Sequence, residues 1–335
     1  MYYAGIDAHA QYLQVVVLDK DGAVVSEGRV RVQERDAIGV YLAPFRPLQV
    51  VVETCPFWPW LRDQLETPGV GFQLANAREL RAIAQHAQKN DAVDAHLLAR
   101  MLLARLIPPA HAHAAAELEQ LRLVRHYAWL VRYRTMCANR IHGQLHQSGI
   151  QLPRERLLNR KGKEELRSKQ AFLSLEQRRL VRTHLALIHG LNTLLRTVRR
   201  EIRREAVGSP GALLLRSVPG IGPYWSLLLS AELAPIERFR TADHLVSYAG
   251  LAPRTRATGG HVSHGPLPKA ANRWVRGALV AAVMSHLRHA PDSTLSQYYG
   301  RTKARLGWKK ARVAAARKLA RSLFYMLRAR RPWQD

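Results

Sequence analysis

Four carboxylates in the first hundred residues have the types and spacing of a site for a divalent metal. Asp7 closes one apolar strand pattern and Glu53 follows another, while Asp91 and Asp94 stand three residues apart in a helical pattern. Residues three apart share one face of a helix, and acids at the ends of neighbouring strands can converge with them. Hard oxygen ligands of this kind bind Mg²⁺ or Mn²⁺, and a pair of such ions activates the nucleophile and stabilises the leaving oxygen in phosphoryl transfer. The sequence therefore predicts a metal site of the RNase H-like nuclease kind.

Structural roles for two of these acids stay open. Asp91 can cap a helix, and Asp94 can pair with Arg78 or Arg81. The two strand-end acids are harder to explain in this way, because a surface acid has little to do directly after an apolar strand.

The elements that must hold these acids follow from hydrophobic periodicity. Strands are predicted at 2–8, 12–18, 23–32, 48–52 and 72–75, and helices at 35–45, 58–65 and 77–106, the last broken near 88–90. The order βββ-α-β-α-β-α predicts a mixed sheet covered by helices. We therefore expect an α/β, RNase H-like catalytic domain over residues 1–106.

The rest of the chain is predicted to be helical. Residues 107–207 form a predicted basic hairpin of two long helices, at 117–146 and 175–205, separated by a loop at 151–169. Residues 208–300 are predicted to be a compact helical domain with one Gly/His/Thr-rich loop at 254–268. Residues 301–335 have the pattern of a basic amphipathic helix.

Charge is distributed unevenly along the 335 residues. Residues 1–105 carry 11 Lys and Arg against 12 Asp and Glu, whereas residues 106–335 carry 41 against 13. A strongly basic region favours an extended polyanion as partner, because each neutralised phosphate releases condensed counterions. The sequence predicts nucleic acid as the partner of the basic region and a separate task for the neutral one.

Composition disfavours several other classes of protein. No apolar run reaches the ~18 residues that span a bilayer, so a membrane partner is not expected. Cys55 and Cys137 are the only cysteines, which disfavours disulfides and a cysteine-rich zinc site. Because the first residues lack a basic and apolar leader pattern, we expect a reduced, cytoplasmic protein.

The residues around the four acids resemble a known family. The similarity is to the DEDD transposases of insertion-sequence family 110, the RuvC-like recombinases related to Piv-type DNA invertases, and it is carried by Gly5-Ile6-Asp7, Val52-Glu53-Thr54, Asn76-Ala77-Arg78 and the run from Lys89 to Ala95. The four acids match the family tetrad in order and in the gap of its last pair.

The C-terminal region carries a second part of the resemblance. The run from Val218 to Pro223 is similar to a helix-hairpin-helix turn, whose small residues let backbone N–H groups approach a phosphate. The stretches 249–254 and 265–276 follow with the order and spacing of the family's transposase domain. The nucleic-acid-binding residues predicted here are Gly220, Gly222, Arg254, Arg256, Lys269, Arg273 and Arg276.

The resemblance implies a fold, a mechanism and partners. The first domain would be of the RuvC type, and its tetrad would bind Mg²⁺, or Mn²⁺, beside a serine of the C-terminal domain that attacks a DNA phosphodiester and forms a phosphoserine. Family members act as multimers, which implies a dimer or tetramer here, and some are guided by a structured noncoding RNA. The resemblance further implies a prokaryotic protein that joins the nucleoid when bound to DNA.

This chain departs from the family at the nucleophile. The family loop usually has a serine before its glycines, whereas this chain reads Arg256-Ala257-Thr258-Gly259-Gly260. Thr258 supplies a hydroxyl on a stiffer, β-branched side chain, and Ser263 lies five residues further on. Either hydroxyl can serve as nucleophile if a base or a metal lowers its effective pKa.

Two other functions stay open. A RuvC-like, structure-specific nuclease would use the same four acids with water as nucleophile. An inactive, basic DNA- or RNA-binding derivative of a transposase would use none of them.

Overall fold

Two compact units make up the chain, Met1–His113 and Ala114–Asp335. A computed structural model describes residues 1–34, 36–83, 91–153, 157, 159–253, 255–258 and 261–335. For residues 81–83, 91, 92, 160, 163, 255–258 and 261–264 the description is confined to the backbone.

The first unit is built on a five-stranded mixed sheet with the strand order β3-β2-β1-β4-β5. The first three strands pair antiparallel, whereas β1 pairs with β4, and β4 with β5, in parallel. Its elements are β1 (Tyr2–Ala8), β2 (Tyr12–Leu18), β3 (Val24–Arg31), α1 (Ala37–Leu42), β4 (Leu48–Glu53), α2 (Trp58–Leu65), β5 (Val70–Ala75), α3 (Ala77–Ile83) and α4 (Asp91–Leu103). The predicted mixed sheet covered by helices is confirmed.

Each face of this sheet is buried against helices, which explains why the central strands are apolar on both sides. On one face, Ile6 and Val50 pack in a core with Leu61 of α2. On the other face, Val51 packs with Leu98 of α4.

Pattern reasoning located the strands closely and the helix ends less well. The predicted helix at 35–45 is shorter, Ala37–Leu42, and within the predicted helix at 77–106 the structure describes helix over Ala77–Ile83 and Asp91–Leu103. The predicted break near 88–90 lies outside the described residues.

The second unit is helical apart from one small hairpin. Its elements are α5 (Ala115–Gln147), α6 (Arg160–Ser168), α7 (Leu175–Gly208), α8 (Pro210–Arg216), α9 (Pro223–Leu233), α10 (Ala242–Tyr248), β6 (Thr255–Thr258), β7 (His261–His264), α11 (Arg273–His289) and α12 (Thr294–Ala329), with short 3₁₀ turns at Gln170–Phe172 and Ile236–Arg238. No described helix combines the length and the apolar character needed to cross a membrane.

The two longest uninterrupted helices, α5 and α7, lie antiparallel. Leu121, near the start of α5, shares a core with Ile202, near the end of α7, whereas Leu145 and Val181 share another core at the opposite ends of the two helices. The Ser174 side chain and Gln177 form a reciprocal capping box that starts α7. The first of these cores also contains residues of α8 to α12.

The helix α12 is two helical arms joined at Gly307, where the backbone is non-helical. The Lys318 ammonium lies 5.0 Å from the centre of the Tyr298 ring, whereas twenty residues of straight helix would separate them by about 30 Å. The chain therefore turns back at Gly307. The second arm buries Leu319 and Leu323 in the core, which accounts for the amphipathic pattern predicted over 301–335.

The predicted loop at 254–268 contains a two-stranded antiparallel hairpin, β6–β7. The register pairs Thr258 with His261 and leaves Gly259 and Gly260 between the strands. Gly259 and Gly260 lie outside the described residues, but a Gly-Gly pair between two strand patterns is a sequence signal for a two-residue hairpin. This glycine pair was the signal for a hairpin that the prediction of a loop overlooked.

Candidate active site

Asp7 and Glu53 are neighbours on two parallel strands. The register pairs Ile6 of β1 with Val52 of β4, so Asp7 and Glu53 occupy the next position of each strand. Side chains alternate along a strand, so Asp7 shares a face with Gly5, and Glu53 shares that face with Val51. The two carboxylates therefore lie at one edge of the sheet, on the face covered by α4.

The helix α4 runs over this face with its first turn toward the acidic edge. Tyr3, near the start of β1, and Leu103, near the end of α4, pack against the same small core. Two residues further along β1, a side chain at Gly5 would overlap the Ala95 carbonyl oxygen and lie 2.5 Å from the Ala99 nitrogen. Residues later in β1 therefore lie beside residues earlier in α4. The start of the helix is thus near the end of β1.

Both helix acids of the predicted tetrad belong to this first turn. The helix begins at Asp91, of which only the backbone is described, and the side chain of Asp94 is half-buried. The structure therefore brings Asp7 and Glu53 together and places the helix turn that carries Asp91 and Asp94 at the same edge.

The surroundings of the two strand acids are partly buried and negatively charged. The Asp7 side chain is 18% exposed, and its Oδ2 lies 3.0 Å from Nε2 of His9. Burial raises the pKa of the Cys55 thiol, and the charges of Glu53 and Asp7 raise it further, against the lowering effect of backbone hydrogen bonds. Both carboxylates therefore act on the same thiol two residues after β4.

A second line of polar side chains on this face ties the sheet to α4. Gln14 stands opposite Asp7 in the β1–β2 register, accepts a hydrogen bond from Arg29 at 3.1 Å and donates one to Glu27 at 3.4 Å. The other Glu27 oxygen lies 3.1 Å from Nε2 of His96 on α4. Sequence reasoning missed these residues, although strand alternation places Gln14, Glu27 and Arg29 on the face of the acids.

The donor set at this edge fits a hard divalent cation. Asp7 and Glu53 offer carboxylate oxygens from adjacent strands, which are the ligands that Mg²⁺ and Mn²⁺ prefer. A surface of this charge is unfavourable without a cation or a hydrogen-bond donor near it, because like charges in a partly buried site raise each other's energy.

The second unit holds the predicted nucleophile segment in the β6–β7 hairpin. Ser263 of β7 pairs with Arg256 of β6, and two pairs further along the hairpin His261 pairs with Thr258. The two hydroxyl-bearing residues therefore stand close along the backbone of one short hairpin. Arg254 lies outside the described residues.

A buried polar network ties down both flanks of this segment. The Glu232 carboxylate, 1% exposed, accepts hydrogen bonds from Arg125 at 2.7 Å and from Nδ2 of Asn272 at 2.6 Å. Asn272 also donates its backbone N–H to the Tyr248 carbonyl at 3.0 Å. On the same side, Arg276 donates to the carbonyls of Ala249 and Pro268.

This network has an electrostatic signature. Burial raises the pKa of the Tyr248 hydroxyl, with the Glu232 charge acting in the same direction and Arg238 and Asn272 opposing it. Sequence reasoning missed Glu232, and its signal was a single acid within the apolar run of α9. An acid buried there needs partners, and Arg125, Asn272 and Tyr248 supply them.

The remaining residues predicted to bind nucleic acid have different surroundings. Gly220 has φ +90° and packs against the backbone of α11 at His286, while Gly222 is the N-cap residue of α9 with open space around it. Lys269 and Arg273 are exposed. Arg276 is half-buried and uses its guanidinium within the protein.

Sequence comparisons place both units beside transposases. Residues 4–150 match the DEDD family of IS110 type, described as "Transposase", and residues 212–300 match the family described as "Transposase IS116/IS110/IS902 family". Together the two matched segments cover well over half of the chain.

Curated relatives agree with this family. The chain is 25% identical over 302 residues to a "Probable family 20 transposase" of Pseudomonas aeruginosa, which covers 87% of this chain and 85% of the relative. It is 23% identical over 330 residues to the "Transposase for insertion sequence element IS1111A" of Coxiella burnetii, covering 96% and 88%. A sheet edge with paired acids, a first helix turn with two more and a separate basic helical unit agree with these matches, and the chain belongs to the IS110 family of DEDD transposases.

Proposed function

We propose that this transposase cleaves and rejoins DNA strands with a divalent metal held by Asp7, Glu53, Asp91 and Asp94 and with a hydroxyl nucleophile on the β6–β7 hairpin. Membership of the family supports DNA transposition in general. The observation that carries the finer proposal is the pairing of Asp7 and Glu53 on adjacent strands beneath the helix that begins at Asp91.

The metal proposal rests on the donor set. Four carboxylates from two strands and one helix would hold Mg²⁺ or Mn²⁺, and the bound ions would lower the pKa of an attacking hydroxyl and stabilise the leaving oxygen. The partly buried Asp7 side chain would hold its carboxylate in a fixed position for this purpose. The Gln14, Glu27 and His96 hydrogen bonds would hold the sheet and α4 in register around it.

The nucleophile would be Thr258 or Ser263. Its oxygen forms a bond to the phosphorus of one phosphodiester, the bond from phosphorus to the leaving sugar oxygen breaks, and the hydroxyl proton passes to solvent or to that oxygen. One phosphoester bond replaces another, so the covalent intermediate keeps the bond energy needed for rejoining. The Glu232 network would fix the flanks of the segment that carries the hydroxyl.

The partners follow from charge. The second unit carries the whole basic excess of the chain and would bind the DNA, and also a guide RNA if this member uses one. The exposed Arg273, at the start of α11, and the exposed Lys269, four residues before it, are proposed contacts to phosphates. A dimer or tetramer would supply the several cleavages that strand exchange requires.

Covalent trapping tests this proposal. The full chain is incubated with Mg²⁺, copurifying RNA and DNA that carries the element's junction, and the protein is then digested and searched by mass spectrometry for a nucleotide adduct. We expect an adduct on Thr258 or Ser263 that the Thr258→Ala or Ser263→Ala variant, respectively, abolishes. Metal-dependent cleavage without an adduct would favour the nuclease that uses water, and absence of both with a verified substrate would favour an inactive binding protein.

A further inference from the structure

We propose that the turn between the two arms of α12 is a contact for an unpaired base of a nucleic acid strand, with Trp308 stacking on the base and the surrounding cations holding its phosphates. This inference rests on the nucleic-acid-binding part of the proposed function and not on its catalytic part. The turn lies outside both segments that match the transposase families.

The turn projects from the second unit. Gly307 has φ +77° and ψ 163°, a conformation that glycine adopts without steric cost and that other residues avoid. All residues from 303 to 310 are exposed, whereas one face of the second arm, beginning with Ala315 and Ala316, is buried in the core. The chain therefore presents the turn to solvent from two anchored helical arms.

Trp308 is one of two tryptophans, with Trp129, that are about half exposed in the described part of the chain. Its exposed fraction is 51%, and Leu306 on the other side of Gly307 is 43% exposed. Tryptophan has a large apolar surface that folding normally buries. By contrast, Trp58, Trp60 and Trp274 pack against apolar cores, so a role in filling a core accounts for them and not for Trp308.

Cations surround this ring. The Arg312 guanidinium lies 5.1 Å and the Lys309 ammonium 5.6 Å from its centre, within the range of cation–π attraction. The helix α12 contains no acidic residue. Between 301 and 312 it carries Arg301, Lys303, Arg305, Lys309, Lys310 and Arg312.

These cations differ from those further along the same helix. Arg317 and Arg321 pair with Asp243. Within the described part of the chain, by contrast, the six cations between 301 and 312 form no ion pair. Unpaired positive charge on a protruding turn attracts a polyanion, and its binding releases counterions.

The exposed Trp308 ring favours an unpaired strand over a duplex as the nucleic acid bound at this turn. Bases within a duplex are stacked on one another and leave no free face, whereas bases of single strands, bulges and junctions stack on aromatic side chains. An exposed ring among cations has the chemistry of such a stacking platform. The unpaired base can belong to a DNA strand opened during exchange or to RNA, and both offer the same face and phosphates.

Equilibrium binding in EDTA tests this inference separately from catalysis. The full chain is titrated into labelled single strands of about 16 nucleotides, as DNA and as RNA, and into a blunt DNA duplex of the same length. We expect Trp308→Ala to weaken binding of at least one single strand by about 5- to 100-fold and Trp308→Phe to weaken it less. Duplex binding should change by less than about twofold, because phosphate contacts dominate it.

The matched control is Tyr325→Ala. Tyr325 is 59% exposed on the second arm of the same helix, seventeen residues and about 25 Å from Trp308. This variant should bind every ligand as the parent does. Equal binding by Trp308→Ala and the parent on both single strands would overturn the inference, and so would an equal loss on the duplex.

Tryptophan fluorescence distinguishes base stacking by Trp308 from a purely structural role of this residue. Stacking should quench part of the parent's emission on single strands, and Trp308→Phe should lack that part. Quenching that is unchanged in Trp308→Phe would contradict the inference even if Trp308→Ala failed to fold. Failure of the adduct experiment with retained Trp308-dependent binding would remove the catalytic proposal and leave this one standing.

Discussion

The two units of this transposase differ in the sign and the distribution of their charge. The first holds 11 basic and 12 acidic residues and collects carboxylates at one sheet edge, whereas the second holds 41 and 13 and spreads its positive charge over long helices. The proposed metal site needs concentrated negative charge, and the proposed phosphate-binding surface needs positive charge. Because the acidic and the basic residues are in separate parts of the sequence, their charges do not cancel each other locally. We therefore predict that separate substitutions can abolish cleavage without loss of DNA binding, or DNA binding without loss of the metal site.

Glu53→Gln should show the largest separation of this kind. The change keeps the shape of the side chain and removes one charge from the acidic edge. We expect metal-dependent cleavage to fall by about a hundredfold or more, because a metal ligand contributes several kcal/mol to the transition state. Affinity for DNA, measured in EDTA, should stay within about twofold. A loss of both cleavage and DNA binding, or of neither, would contradict the assignment of these two properties to different units.

Gly5→Ala should damage the first unit alone. A methyl group at this position would overlap the Ala95 carbonyl oxygen and push α4 off the sheet. Overpacking of this kind costs about 3 kcal/mol of the free energy of unfolding. Chemical denaturation followed by probes in each unit should show an earlier transition in the first unit and an unchanged one in the second. Gly277→Ala, at a helical site with open space, is the control.

Glu232→Gln should damage the second unit alone. The amide keeps one acceptor for Asn272 and loses the charged hydrogen bond from Arg125, which costs about 2 kcal/mol. We expect a lower adduct yield from a less constrained β6–β7 segment, with the unfolding transition of the first unit unchanged. An adduct yield equal to that of the parent would show that the network does not position the hairpin.

The smallest expected effect is alkaline sensitivity of the second unit. Burial raises the pKa of Tyr224 to about 12, with Tyr127 acting in the same direction. A folded-state pKa above the unfolded value near 10 means that stability is complete below pH 10 and is lost as the pH rises toward 12. Tyr224→Phe should remove this part of the loss, as followed by the unfolding midpoint at pH 9 and pH 11. An unchanged pH dependence in that variant would contradict the assignment.

The sequence predicted the first unit better than the second for a physical reason. Strands such as 2–8 and 12–18 alternate or run apolar over a fixed length, and acids at their ends can be read directly. The convergence of Asp7 with Glu53 needed only the parallel pairing of β1 with β4, which the βββ-α-β order favours.

The polar supports were not predictable in the same way. Glu232 meets Arg125, 107 residues away, and Asn272, 40 residues away, only because α5, α9 and α11 pack together. No local pattern encodes such contacts. The turn at Gly307 was equally hidden, because glycine within a helical pattern is tolerated and does not by itself announce a reversal of the chain.

The proposed mechanism is tested most directly by substituting an acid of the first unit and measuring the adduct on the second. The yield of nucleotide adduct on Thr258 or Ser263, in the second unit, is measured by mass spectrometry for Asp7→Asn and for Asp63→Asn, an acid of the first unit that lies on α2 with its side chain 59% exposed. We predict that Asp7→Asn abolishes the adduct while DNA stays bound, and that Asp63→Asn leaves the yield unchanged. An adduct that persists in Asp7→Asn would contradict the claim that the acidic edge of the first unit activates a hydroxyl of the second.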